Sequence, residues 1–268
     1  MLHRHEKKGL VWYTFSIFDQ HPELIHGALT RFGGLSGENG QDLHLAFSDD
    51  RPHEETRANL RRVEEALGLP PAAFVRQTHS AQVTIVRPSD HYQPQGPDQI
   101  RQDRDALIAP EPGVSLLVRL ADCQGVILYD PVSKILGLVH SGWRGSVRNI
   151  LGVTVDKMVA LGAEAADMKA AISPSLGPCC AEFVNYGSEL PEEFQDFMVA
   201  ENHFDFWAIS RKQLVDKGLK TDNIESPGIC TKCSPEFYSY RRGEWGRHGL
   251  IAGVRPEAGW SQPKLSLL

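Results

Sequence analysis

The sequence predicts a mixed α/β protein, and three observations carry that prediction. Apolar runs of strand length, rich in β-branched residues and closed by turn residues, recur along the chain. Between them lie segments whose apolar residues recur at helical spacing, as at Leu60, Val63 and Leu67. Composition adds the third: 41% hydrophobic and 23% charged residues suit a globular protein with a core of its own, and no repeat, linker or compositional shift splits residues 1–268 into more than one domain.

Taken in order, residues 11–18 and 24–30 read as strands, the second leading into Arg31 and the glycine-rich turn 32–37. Backbone amides in such a turn can cradle an anion, with Arg31 beside them. Pro52 opens a helix that buries Leu60, Val63 and Leu67 and stops at Gly68. Alternation over residues 82–86 gives a half-buried strand, with His79 just before it. The polar stretch 87–104 reads as a long surface loop or lid, and residues 105–108 return to the core. Three apolar runs then follow closely, 114–120, 125–129 and 135–139; Asp122 and Cys123 sit in the connection between the first two, and the third delivers His140 into a turn. Val147, Ile150, Leu151, Val155, Met158 and Val159 form a helix from the Gly145 turn to Gly162, its free amides and dipole aimed back at His140 and Arg144. Residues 169–172 are a short strand, 173–180 a second loop, 213–218 the end of a helix, and 249–254 a last strand.

Charge and cysteine usage narrow the function. A net charge of -6 without a basic run argues against nucleic acid as a partner. No apolar run approaches the ~20 residues of a membrane span, and the N-terminus is polar, so a cytoplasmic protein is expected. Five cysteines in a reducing compartment point to metal binding or catalysis rather than to a disulfide framework.

His79, Cys123 and His140 are the metal-ligand candidates, three donors at strand ends that would leave a fourth position open on a zinc ion. Beside the thiol, Asp122 is placed to orient a ligand or to act as a base. A second group, Cys179, Cys180, Cys230 and Cys233, contains one CxxC, but adjacent cysteines rarely share one tetrahedral ion. Substituting Cys230 and Cys233 is therefore expected to leave metal content unchanged. Arg144, Arg241, Arg242 and Arg247 are candidate phosphate ligands and Trp143 a candidate pocket wall. The lone His3-Arg4-His5 pair, in a terminus expected to fray, speaks against a multicopper oxidase, which needs several such pairs. A cysteine hydrolase with Cys123 as nucleophile and His140 as base remains an alternative.

Five ordered motifs resemble the laccase-domain family, also called multicopper polyphenol oxidase, purine nucleoside phosphorylase or peptidoglycan editing factor. They are Gln77-Thr78-His79, Ala121-Asp122-Cys123, His140 to Gly145, Gly177 to Cys180, and Ser239 to Arg242 with Gly246-Arg247. The resemblance implies mixed β-sheets flanked by helices, a fold akin to the cysteine-hydrolase domain of cytotoxic necrotizing factor toxins, and zinc on His79, Cys123 and His140, with copper disfavoured. It further implies phosphorolysis of adenosine, inosine and methylthioadenosine together with adenosine deamination. On that footing Arg31, Gln77, Trp143, Arg144 and Arg241 become substrate or phosphate ligands, and Asp122, Cys123 and His140 catalytic. A nucleoside and phosphate are the expected partners, and a monomer or weak homodimer the expected assembly. The chain departs from the family pattern at Thr78, Ser80 and Ala46.

Overall fold

The structure, a computed structural model, describes residues 1–37, 39–47, 53–90 and 103–256. In chain order it contains β1 (Leu2–Lys7), β2 (Leu10–Phe15), β3 (Leu24–Leu29), β4 (Phe32–Ser36), α1 (His53–Leu67), β5 (Ala72–Ala73), β6 (Val83–Ile85), β7 (Ala106–Ala109), β8 (Ser115–Leu120), β9 (Gln124–Tyr129) and β10 (Leu136–Ser141). There follow α2 (Trp143–Val147), α3 (Ile150–Ala160), β11 (Lys169–Ile172), α4 (Tyr186–Glu189), β12 (Met198–Ala200), β13 (His203–Phe204), α5 (Phe206–Asp216), β14 (Ile224–Glu225) and β15 (His248–Val254).

Two six-stranded mixed sheets organise the chain, ordered β1-β2-β3-β15-β8-β5 and β14-β11-β9-β10-β7-β6. Strand β9 explains their stacking: side chains alternate between faces, and both faces are buried. Ile127 and Tyr129 join Leu116, Val118 and Leu250 of the first sheet in one core, whereas Val126 and Leu128 face Leu151, Val155 and Met158 of α3 in another. A strand covered on two sides must be apolar throughout, which is why the central runs carry no alternation in sequence. On the far side of the first sheet, Leu67 of α1 packs at Gly27 of β3.

Strands β8 and β9 belong to different sheets, so Ala121, Asp122 and Cys123 are where the chain crosses between layers. Asp122 makes this crossing at a φ of 84°, in the left-handed region.

Several expectations are corrected. The N-terminus does not fray: β1 pairs with β2 from Leu2 to Lys7, and His3 and His5 bond to Asp19 and Thr14. The glycine-rich turn is strand β4, not an anion cradle, because the amides of Gly33 and Gly34 are spent on Gln41 O, and a Cβ on Gly33 would lie 2.3 Å from the Gly9 backbone. The helix after His140 starts at Trp143, two residues early. It breaks at Asn149, whose φ of 51° interrupts the helical path before its side chain caps α3 at Gly152 N. A single five-residue turn has little dipole. Of the expected lid, residues 91–102 lie outside the described residues, as does Pro52.

Candidate metal centre

The site forms where β9 and β7 begin and β10 ends, all at one end of the second sheet. His140 is the penultimate residue of β10 rather than part of a turn, and is almost fully buried. Cys123 immediately precedes β9 and is half-buried. His79 sits in the turn before β6 at a φ of 59°. A ligand atom from each lies within 4.8 Å of the others, and Cys123 Sγ is 3.7 Å from His79 Nε2. Zinc bonds of about 2.3 Å to sulfur and about 2.0–2.1 Å to nitrogen set a tetrahedral edge of about 3.6 Å, so the donor set fits that ion.

Asp105 assembles the two histidines. It is completely buried, and its Oδ1 is 2.8 Å from His140 Nδ1, which leaves Nε2 as the ligand atom. The same carboxylate accepts from the backbone amides of Thr78, His79 and Ser80 at 3.3, 3.0 and 2.6 Å and from Ser80 Oγ at 2.7 Å. Three successive amides turned onto one anion force the tight turn that sets His79 in its left-handed conformation. Arg148 closes the turn from the other side by donating to His79 O at 2.7 Å.

The charges follow. Burial would raise the Asp105 carboxyl, but the bonds from His140 and Ser80 outweigh it and hold it at about 2. Burial favours a neutral His140, yet the Cys123 thiolate and Asp105 raise it to about 9. For Cys123 burial acts upward, and His140 with His79 brings the thiol down to about 6. Without a metal these groups form an anion–cation–anion chain, the thiolate being ready to bind a cation.

Gly142 is required by this closeness. A Cβ there would stand 2.5 Å from His79 Cδ2 and 2.9 Å from Cys123 Sγ. The HSGWRG element thus combines a ligand, a residue without a side chain where the ligands converge, and the start of α2.

The chain matches, over residues 25–255, the family described as multi-copper polyphenol oxidoreductase laccase. It belongs to that family. A Deinococcus radiodurans relative named purine nucleoside phosphorylase is 33% identical over 245 residues, covering 85% of this chain and 88% of that protein. A relative from an unknown prokaryotic organism, named adenosine deaminase RL5, is 30% identical and covers 84% of this chain and 91% of that one. The crystal structure of YlmD from Geobacillus stearothermophilus superposes with a TM-score of 0.82 at 26% identity, over 94% of this chain and 98% of that one. The chain spans 52%, about half, of the length of the mouse and human relatives it matches.

Within this laccase-family chain the other expected site residues separate. Gln77 is structural: its Oε1 accepts from Arg119 N at 2.9 Å and its Nε2 donates to Arg119 O at 2.8 Å, tying the His79 turn to β8. Arg31 is committed to Glu244 at 2.7 Å and Asp42 at 3.3 Å and lies over the Tyr238 ring. The Arg241 guanidinium holds the carbonyls of Cys180 and Glu182. Asp122 has both oxygens engaged, by Thr231 Oγ1 at 2.7 Å and Arg241 N at 2.6 Å, which makes it a clamp on the loops beside Cys123 rather than a free base. Arg144 is exposed and stacks 4.2 Å over the Trp143 ring, and its guanidinium makes no hydrogen bond to the described residues. Trp143 packs edge-on against Phe183.

Asp105 escaped the sequence reading. Its one signal is an acidic residue directly before the wholly apolar β7, where a charge can persist only with partners to satisfy it.

Proposed function

We propose that this chain is a zinc-dependent purine nucleoside enzyme, residues 1–268 working as one unit. It phosphorolyses adenosine, inosine and methylthioadenosine and deaminates adenosine, in the cytoplasm and at the His79, Cys123 and His140 centre. The observation that carries the reading is the convergence of two imidazoles on one thiolate, with Asp105 fixing the His140 ring. The names of the relatives agree with nucleoside chemistry.

Zinc on these three ligands supplies Lewis acidity and an acidified water. The chain's own residues do the rest. Asp105 fixes the tautomer and angle of His140. Trp143, half-buried at the start of α2, offers a ring face to a purine, and Arg144 beside it is the candidate guanidinium left for phosphate. Asp122 keeps the Cys123 crossing in register with the neighbouring loops.

One observation favours a second reading. Asp105, His140 and Cys123 also form the acid–imidazole–thiol series of a cysteine hydrolase, here acting on a cell-wall peptide or amino-sugar precursor. Such a nucleophile has no need of His79 3.7 Å from its sulfur, which favours the metal. Turnover of the three nucleosides with and without phosphate, before and after chelation, tests the proposal. Hydrolysis of a cell-wall peptide or amino-sugar precursor by the chelated protein, abolished by thiol alkylation, would select the hydrolase.

A further inference from the structure

Cys179 and Cys180 lie in the loop that follows β11, and Cys230 and Cys233 in the loop that follows β14. These loops run side by side: Thr231 N donates to Ser175 O and Ser175 N to Ile229 O. Gly177 permits the approach, since a Cβ there would stand 2.9 Å from Cys230 Cβ and 2.8 Å from the Trp207 ring. The four sulfurs lie within 4.8 Å of one another, and Cys233 Sγ is 3.8 Å from Cys179 Sγ and 3.6 Å from Cys180 Sγ. A tetrahedral ion with metal–sulfur bonds of about 2.3 Å has sulfur–sulfur edges of about 3.8 Å, whereas a disulfide needs about 2.05 Å. The adjacency that argued against a shared ion is harmless here, because Cys179 and Cys180 occupy a turn, where successive side chains need not alternate between faces as they do in a strand.

The backbone around the cluster is arranged for thiolates. Arg242 collects the carbonyls of Thr231, Lys232, Ser234 and Phe237, turning the acceptors of the CxxC loop away from the sulfurs. The same guanidinium is paired with Glu244 at 2.7 Å, so its part is to fix the shape of the loop that carries the ligand sulfurs.

We propose that Cys179, Cys180, Cys230 and Cys233 hold a structural zinc ion, separate from the centre at His79, Cys123 and His140 and closed by four protein thiolates. It joins the loop after β11 to the loop after β14. Asp122, which accepts from Thr231 and Arg241 across this junction, carries the tie to its neighbour Cys123.

The test is zinc content and thiol accessibility of the full chain purified under reducing conditions. Wild type should carry two zinc ions. Cys123→Ala/His140→Ala should keep one, with its four remaining thiols hidden from a disulfide reagent until chelator is added and an intense thiolate-to-cobalt absorption after cobalt exchange. Cys230→Ser/Cys233→Ser should lose one zinc ion and keep the other. A Cys123→Ala/His140→Ala protein without metal and with four freely reacting thiols would overturn the proposal, as would a disulfide among the four in the intact mass. Should Cys230→Ser/Cys233→Ser not fold, metal count and thiol protection in Cys123→Ala/His140→Ala decide alone. Loss of activity without loss of this zinc bears on the catalytic reading and leaves the second site standing.

Discussion

The two thiol clusters are organised by opposite charges. Around His79, Cys123 and His140 the hub is an anion: Asp105 gathers amides and an imidazole, and so fixes donors that must approach a cation from a buried wall. Around Cys179, Cys180, Cys230 and Cys233 the hub is a cation: Arg242 gathers the carbonyls of the loop that carries Cys230 and Cys233. The first offers three ligands, the second four, of which Cys179 and Cys233 are exposed and Cys230 is buried. The sign of the hub follows from the ligand. Neutral imidazoles need their outer nitrogen engaged by an acceptor, whereas thiolates already carry the charge and need donors.

Removing a ligand should separate the clusters most sharply. Cys123→Ala is expected to lower nucleoside turnover by about a thousandfold or more, on the scale of losing a principal electrostatic group, while the melting temperature moves little because the core does not depend on that metal. Parallel assays and thermal melts check this. A collapse of the melt would mean that the first cluster is structural as well.

The hub comes next. Asp105→Asn keeps the shape but removes the charge facing His140, and should weaken metal binding at this centre about 10- to 100-fold in chelator competition. An unchanged affinity would transfer the orienting role from Asp105 to the turn itself.

Arg144→Ala sharpens what the first cluster is for. Losing a charge-assisted contact of roughly 1.5–3 kcal/mol predicts about a ten- to hundredfold slower phosphorolysis at fixed phosphate, with adenosine deamination much less affected. Base release and inosine formation, measured in parallel at equal zinc content, decide it. Equal losses would make the Arg144–Trp143 stack a nucleoside contact instead.

Glu64 supplies the smallest effect and the control for Asp105. It too is buried, but burial raises it to about 7 because the backbone donor Ala72 N compensates too little. Between its ordinary value of 4.5 and about 7 the folded chain holds a proton that the unfolded chain has released, so this group's contribution to stability falls as pH rises through that window. Glu64→Gln should flatten that fall, a gain of about 1–3 kcal/mol at pH 8 relative to pH 5 in denaturant titrations. Asp105, held low by its donors, contributes nothing to the slope above pH 5 because it is ionised in both states there.

Sequence alone determined the elements whose cause is local. The apolar runs that became β8, β9 and β10, the helix carrying Leu60, Val63 and Leu67, and the residue types of the first cluster were all legible, because strand length, helical period and donor chemistry are properties of short segments. Tertiary structure alone decided which polar groups meet. That β8 and β9 lie in different sheets, that Asp105 serves both histidines, that Gln77 and Arg31 are consumed by structural partners, and that Cys179 and Cys180 face the same pair of thiols depend on contacts between distant segments. A carboxylate before an apolar strand declares only that it must be satisfied. Which groups satisfy it is set by the packing of two sheets, and the burial that makes the partnership strong exists only once they have packed.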